Sequence, residues 1–179
     1  MGWFFFALRK EVDWEWTFAD GSIVRAHQHS SGARSGEARA VGKSRGGATT
    51  KIHMLSDAHG NPVDFEITGG EVHDNKVAKE LVDMIEEPGT FIADKGYDSD
   101  ETRDSARKKG LTPSIPRRKC SKKENPEFDV NLYKYRHLVE NLFARLKHFR
   151  SISTRFEKTK RSFKAMLRLA CSLIWIRNA

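Results

Sequence analysis

The spacing of apolar positions changes along the chain. Before residue 70 they alternate with polar ones in short runs; after residue 75 they recur at helical intervals. Trp14 to Ala26 collects aromatic and β-branched residues (Trp16, Thr17, Phe18, Ile23, Val24) and predicts a strand, bent at Gly21. Lys51 to Leu55 and Val63 to Ile67 alternate, and the turn residues His59-Gly60-Asn61-Pro62 join them as a hairpin. Val77, Ala78, Leu81, Val82 and Ile85 set a helix over 75–86, with Asp74 as its N-cap and Pro88-Gly89 as its stop. That capping role is preferred for Asp74 over service as a fourth metal-binding carboxylate. Phe91 to Ala93 is a short buried strand ending at Asp94. A polar helix over 100–109, a strand over 111–115, a basic connector over 117–127 and two helices over 129–149 and 160–177 complete the pattern.

An opening run of strands followed by β–α alternation predicts an α/β protein, with a mixed five-stranded sheet flanked by helices. This is the element order of the ribonuclease-H-like fold, expected to occupy residues 15–179 as one domain. Residues 1–14, an aromatic cluster followed by Leu8-Arg9-Lys10-Glu11, read as a tail. They predict a short helix that packs on the core or on a segment outside this chain. Residues 28–50 are rich in Gly, Ser and Ala and carry Arg34, Arg39, Lys43 and Arg45 against Glu37, which predicts a basic flexible loop.

Composition narrows the function classes. At 38% hydrophobic and 31% charged the chain is an ordinary globular one. Its net charge of +8 favours a polyanionic partner, nucleic acid being the commonest, against the plainer reading of a merely basic surface. Cys120 and Cys171 form no CxxC pattern, so neither a disulfide framework nor a zinc site is implied. The apolar N-terminus lacks the parts of a signal peptide, and the apolar run Ala165 to Ile176 is short and interrupted by Arg168. A soluble, cytoplasmic, nucleoid-associated protein is expected, with no membrane partner. Ser44-Arg45-Gly46-Gly47 has neither the spacing nor the lysine of a phosphate-binding loop. His27, His29, His53 and His73 show no metal-ligand spacing, and the alternation of His53 with Ile52 and Met54 places it on one sheet face.

Three acids carry the candidate chemistry. Asp20 interrupts an apolar strand, where a carboxylate needs a reason. Asp94 ends a short strand at a sheet rim, where ligands bind in α/β folds. Taken singly, each also reads as a turn or cap residue. On a continuous helix over 129–149, Tyr133, Arg136, Glu140 and Lys147 fall at about 0°, −60°, −20° and −40°, with Leu138, Leu142, Leu146 and Phe149 opposite them. The polar stripe is either functional or a solvated face with an ordinary Arg136–Glu140 pair.

Tyr133-x2-Arg136-x3-Glu140-x6-Lys147 resembles the Y-x2-R-x3-E-x6-K signature of DDE transposases of bacterial insertion sequences. Phe18 to His27, Gly42 to His53 and Ile92 to Asp98 resemble the same family, so the likeness spans nearly the whole chain. It implies a ribonuclease-H-like fold with Asp20, Asp94 and Glu140 as the catalytic, metal-binding triad. It implies two Mg²⁺ ions, with Mn²⁺ as substitute, that serve DNA cleavage at transposon ends and strand transfer into target DNA. Tyr133, Arg136 and Lys147 would lie along DNA, with Lys95, Lys43 and Arg45 as weaker phosphate contacts. For Lys43 and Arg45 a solvated loop is an equal reading. Partners implied are the terminal inverted repeats, target DNA, a second copy forming a homodimer on DNA, and an N-terminal DNA-binding region encoded upstream. The alternatives are a non-catalytic DNA-binding remnant of a truncated transposase and a host nuclease of the same fold.

Overall fold

Strand β1 (Trp16–Ala26) is the axis of the sheet. A computed structural model describes residues 2–32 and 40–178; Arg34, Glu37 and Arg39 of the expected basic loop lie outside the described residues. One edge of β1 pairs antiparallel with β3 (Gly47–Ser56), from Phe18↔Ser56 to Arg25↔Thr49. The register does not shift across Gly21, so the strand passes through it without a bulge. The far edge of β3 is shared end to end. The short strand β2 (Gly42–Ser44) pairs with its first residues and β4 (Pro62–Gly69) with the remainder. The other edge of β1 is shared too. The parallel strand β5 (Thr90–Ala93) covers Trp16 to Ala19, and the two-residue β7 (Thr154–Arg155) covers Arg25 and Ala26. Strand β6 (Thr112–Ser114) extends the sheet beyond β5 in parallel. The core order β4-β3-β1-β5-β6 is the expected mixed five-stranded sheet, lengthened by β2 and β7.

Each parallel crossover carries a helix, as parallel pairing requires. Helix α2 (Ala78–Asp83) lies between β4 and β5, and α3 (Asp100–Lys108) between β5 and β6. The β3–β4 hairpin is set by Asp57. One of its oxygens accepts from the backbone of His59 (3.0 Å) and Asn61 (2.7 Å), with Gly60 at φ +76 between them. In the last third of the chain come α4 (Val130–Lys134), α5 (His137–Lys147), α6 (Arg150–Ser153) and α7 (Lys160–Asn178). At the front, α1 (Gly2–Leu8) packs on α7, with Phe5 fully buried. Among the described residues no helix is long and apolar enough to cross a membrane.

Alternation along the strands divides the core between two faces. Phe18, Val24, Ile52, Met54 and Ile92 meet α5 and α7 through Leu142, Leu146, Phe163 and Leu167. Ala19, Leu55, Phe91 and Ala93 meet α2 and α3 through Leu81, Val82 and Ala106, together with Tyr97. By the same alternation Asp20 belongs to the α5 face and Gly21 to the α2 face.

Three expectations change. The helix over 75–86 is a 3-10 turn (Asp74–Lys76) followed by the shorter α2, and the side chain that accepts from Asn75 N belongs to His73, not Asp74. The helix over 129–149 breaks at Tyr135, where Arg136 N bonds to Tyr133 O and Val139 N to Arg136 O, three residues back instead of four. The 28–50 segment contains ordered structure: a 3-10 turn at Gln28–Gly32, all of β2 and the start of β3.

Two measurements test this packing. Phe18→Ala empties a fully buried site on the central strand and is expected to cost about 3–5 kcal/mol in urea unfolding. Glu66 of β4 is gripped by Lys160 and by Lys164 (3.0 Å) of α7. Burial alone would raise its carboxyl, but the two ammonium groups outweigh that and hold it below its ordinary value of 4.5. A depressed carboxyl stabilises the fold above the unfolded-state value, and that contribution is lost as pH falls through the folded-state value. Glu66→Gln is therefore expected to lose about 1 kcal/mol at pH 7, the lysines being partly solvated. The deficit should begin to narrow in acid unfolding curves below pH 4.5 and close only once the pH is below the folded-state value.

Candidate active site

The site begins where β1 and β5 stop pairing. Ala19↔Ala93 is the last parallel pair, so Asp20 and Asp94 follow it side by side at the rim. Asp20 is held by its own strand, its carboxylate accepting from Gly21 N at 2.9 Å. Asp94 caps the 3-10 turn Lys95–Tyr97, accepting from Gly96 N at 2.7 Å. Helix α5 crosses β1 and β3 and supplies Glu140 from its exposed side while Val139, Leu142 and Leu146 are buried beneath.

Between the acids stands a cation of the protein's own. Arg136 Nη1 is 3.1 Å from Asp20 Oδ2, and Nη2 bonds Glu140 Oε1. Burial pushes the Asp20 carboxyl up; Arg136 and the Gly21 amide pull it down, Asp94 and Glu140 push it up again, and the net result is a raised value. Burial works against the Arg136 charge, but Asp20, Tyr133, Glu140 and Asp94 more than offset it. The tight step between α4 and α5 serves this arrangement. Three-residue bonding nearly eclipses residues three apart, and the Arg136 guanidinium lies 5.8 Å from the Tyr133 ring centroid. The Arg136–Glu140 pair is thus more than a solvated i,i+4 contact, because the same guanidinium also holds Asp20.

The other sequence candidates are placed unequally. Lys147 is exposed at the end of α5, roughly 10 Å along the helix from Glu140. Lys95 is exposed beside Asp94 and shares an open hollow of about 400 Å³ with His73, Gly96, Arg118 and Lys119. Lys43 pairs with Ala48, six residues along β3 from the Met54 partner of Asp20, or roughly 20 Å away. Arg45 lies in the turn beyond it, so neither is brought to the acids.

A polar group on the reverse face is absent from the sequence reading. Asp74 Oδ1 meets Lys51 Nζ at 3.2 Å and His53 Nδ1 at 3.4 Å. The other ring nitrogen of His53 is 2.9 Å from Thr68 Oγ1, and Tyr97 OH stands 3.5 Å from Nδ1. Burial would raise the Asp74 carboxyl, but the His53 hydrogen bond and the Lys51 charge hold it below its ordinary value. Burial and the nearby carboxylates of Asp74, Asp20 and Asp94 keep the Tyr97 phenol protonated. The available signal was a glycine close behind each strand acid, Gly21 after Asp20 and Gly96 after Asp94.

The carboxylate oxygens of Asp20, Asp94 and Glu140 are the donor type a hard divalent cation such as Mg²⁺ prefers, and Arg136 engages two of these carboxylates. Among the described residues no three Asp, Glu, His or Cys side chains are already grouped closely enough to hold an ion. The positive charge amid the acids is Arg136.

A mixed sheet with this strand order and an acid-bearing helix across its rim defines a ribonuclease-H-like protein. Residues 17–175 match the family model described as the transposase DDE domain, and the chain belongs to that family. It is 35% identical over 129 residues to a putative transposase for insertion sequence element IS6501 from Brucella ovis, covering 72% of this chain and 99% of that one. It is likewise 35% identical over 136 residues to a putative transposase for insertion sequence element IS402 from Burkholderia cepacia, covering 70% of this chain and 62% of the relative. Among solved structures, the piggyBac transposase synaptic complex with hairpin DNA aligns with a TM-score of 0.54 at 10% identity. That alignment covers 92% of this chain and 47% of that one, and it speaks to the fold alone.

Arg136→Ala removes the counter-charge and leaves Asp20 and Glu140 facing each other. The metal-free variant is expected to lose about 1–2 kcal/mol at neutral pH. A carboxyl with a raised folded-state value favours the fold as it protonates, so the deficit should narrow as pH falls and the acids are neutralised. Thermal unfolding of both proteins across pH checks this.

Proposed function

We propose that this chain is the catalytic part of a transposase that hydrolyses phosphodiester bonds at transposon ends and joins the freed 3′-hydroxyl to target DNA. The observation that carries the reading is Arg136 holding Asp20 of β1 and Glu140 of α5 together, with Asp94 following the last β1–β5 pair next to Asp20. The family and the insertion-sequence transposases it resembles supply the reaction class.

In this reading Asp20, Asp94 and Glu140 hold two Mg²⁺ ions, or Mn²⁺ in their place. When bound, such ions supply an activated water and a stabilised leaving oxygen for in-line displacement. The protein's own groups do the rest. The buried strands fix Asp20 and Asp94, and α5 brings Glu140 over the rim. Arg136, braced by Tyr133, serves the acids before DNA arrives and offers a phosphate contact beside them. Lys147, further along α5, and Lys95, next to Asp94, would add positive charge, so affinity for DNA should fall steeply with salt. Recognition of terminal inverted repeats, through an N-terminal region of the whole protein, and the pairing of two copies on DNA belong to the same proposal.

The test is cleavage of DNA carrying the element's own ends by the purified chain with Mg²⁺ or Mn²⁺. Glu140→Gln should reduce cleavage to the uncatalysed background while gel-shift binding stays unchanged and salt-sensitive. Cleavage by that variant at the wild-type rate would sink the assignment. Salt-sensitive binding with no metal-dependent cleavage by the wild type would identify a DNA-binding remnant instead.

A further inference from the structure

The polar group on the reverse face of the sheet bears on the site from behind. Asp20 points to the α5 face; its neighbour Gly21 faces the α2 side, where His53 and Lys51 also stand. Asp74 reaches that side from the loop after β4 and closes on two backbone segments at once. A Cβ on Gly21 would meet Asp74 Oδ1 at 2.7 Å and Tyr97 OH at 3.5 Å. A Cβ on Gly96 would meet Asp74 Oδ2 at 3.1 Å and Asp94 Oδ1 at 2.7 Å. Gly21 therefore lies where bare backbone admits the braced Asp74 carboxylate, and Gly96 where a side chain would crowd Asp74 and collide with Asp94. One is adjacent to Asp20, and the other donates the hydrogen bond that fixes Asp94. Asp74 itself cannot drift, since Lys51 Nζ is tied both to its Oδ1 and to Val72 O at 3.0 Å, and His53 backs the same oxygen.

We infer that Asp74 is a positioning residue: a carboxylate wedge, braced by Lys51 and His53, that sets the β1 rim at Gly21 against the Lys95–Tyr97 turn at Gly96 and so fixes the spacing of Asp20 and Asp94. It is not a third strand-side ligand, because it approaches β1 from the face opposite Asp20 and its Oδ1 is engaged by two protein groups. The inference rests on the metal-binding role proposed above for Asp20 and Asp94. Partners that orient metal ligands from behind commonly change metal affinity by about 10–100-fold when removed.

The experiment measures Mn²⁺ affinity by electron paramagnetic resonance, with thermal unfolding alongside, for the full chain and four variants. Asp74→Ala should weaken Mn²⁺ binding at least ~10-fold with a cooperative unfolding transition retained. Asp74→Asn keeps the shape of the wedge but not its charge, and should lose less than Asp74→Ala. Gly21→Ala should weaken Mn²⁺ binding and lower the melting temperature, because its new methyl displaces Asp74. The double variant Gly21→Ala/Asp74→Ala should be no worse than Asp74→Ala alone, since the collision is then gone. Wild-type Mn²⁺ affinity in Asp74→Ala, in Asp74→Asn or in Gly21→Ala would overturn the inference. So would additive losses in the double variant, or an Asp74→Asn loss as large as that of Asp74→Ala, which is the behaviour of a direct ligand. Should Asp74→Ala fail to fold, Asp74→Asn and Gly21→Ala still decide the matter. Failure of the wild-type chain to bind Mn²⁺ would instead defeat the metal-site reading beneath it.

Discussion

Like charges have to be kept together at one rim of this sheet, and the protein does so through register. The parallel pairing of β1 with β5 ends at Ala19↔Ala93, so Asp20, still paired with Met54 of β3, and Asp94, just past the end of β5, follow it as neighbours. Burial makes Asp20 costlier still as an anion, and Glu140 adds a third negative charge from above. Such a group disperses unless something fixed opposes the repulsion. Arg136 supplies the charge that does so, and the overtightened α4–α5 step supplies its aim. The break in the helix is therefore part of the site rather than a flaw in it.

The two faces of the sheet divide the labour. On the α5 side, apolar residues of β1 and β3 seat the helix that bears Glu140, and the polar groups face outward at the rim. On the α2 side, the same alternation turns Gly21, Lys51 and His53 toward Asp74 and Tyr97. A polar network buried beside an apolar core is tolerable only when its members satisfy one another. Here Lys51, His53, Thr68 and Asp74 do so within a few ångströms. Rigidity behind the rim is what lets two carboxylates stand at a defined separation in front of it.

Much of this could be read before the structure, and the reasons for the rest are physical. The strands were legible because half-buried strands alternate, and β5 because a strand covered on both faces is continuously apolar. The spacing of Tyr133, Arg136, Glu140 and Lys147 survived the break between α4 and α5 because a three-residue-bonded step carries Tyr133 and Arg136 to one side about as well as a helical turn does. Which face of β3 His53 would occupy was not legible, since period two fixes companions but not the side they face. Asp74 was misread as a cap because Asp before a helix usually is one. The contact that claims it comes from Lys51, more than twenty positions away, and no local pattern records that pairing.

Net charge was the least informative signal, and the structure explains why. Part of the positive connector after β6 is consumed internally. Arg117 faces Asp98 and Asp100, Lys123 bonds Asp100, and the neighbouring Arg107 of α3 forks onto Glu127. Fully buried Arg103 is spent on Asp98 and on the carbonyl of Ile115. These cations staple a loop to a helix and add little to a field that a polyanion would feel. Exposed cations nearer the acids are Lys95, next to Asp94 and sharing a hollow with Arg118 and Lys119, and Lys147, roughly 10 Å along α5 from Glu140. For a phosphate backbone, that placement matters more than the sum of +8, because steering requires positive charge at the approach to the carboxylates rather than spread over the molecule.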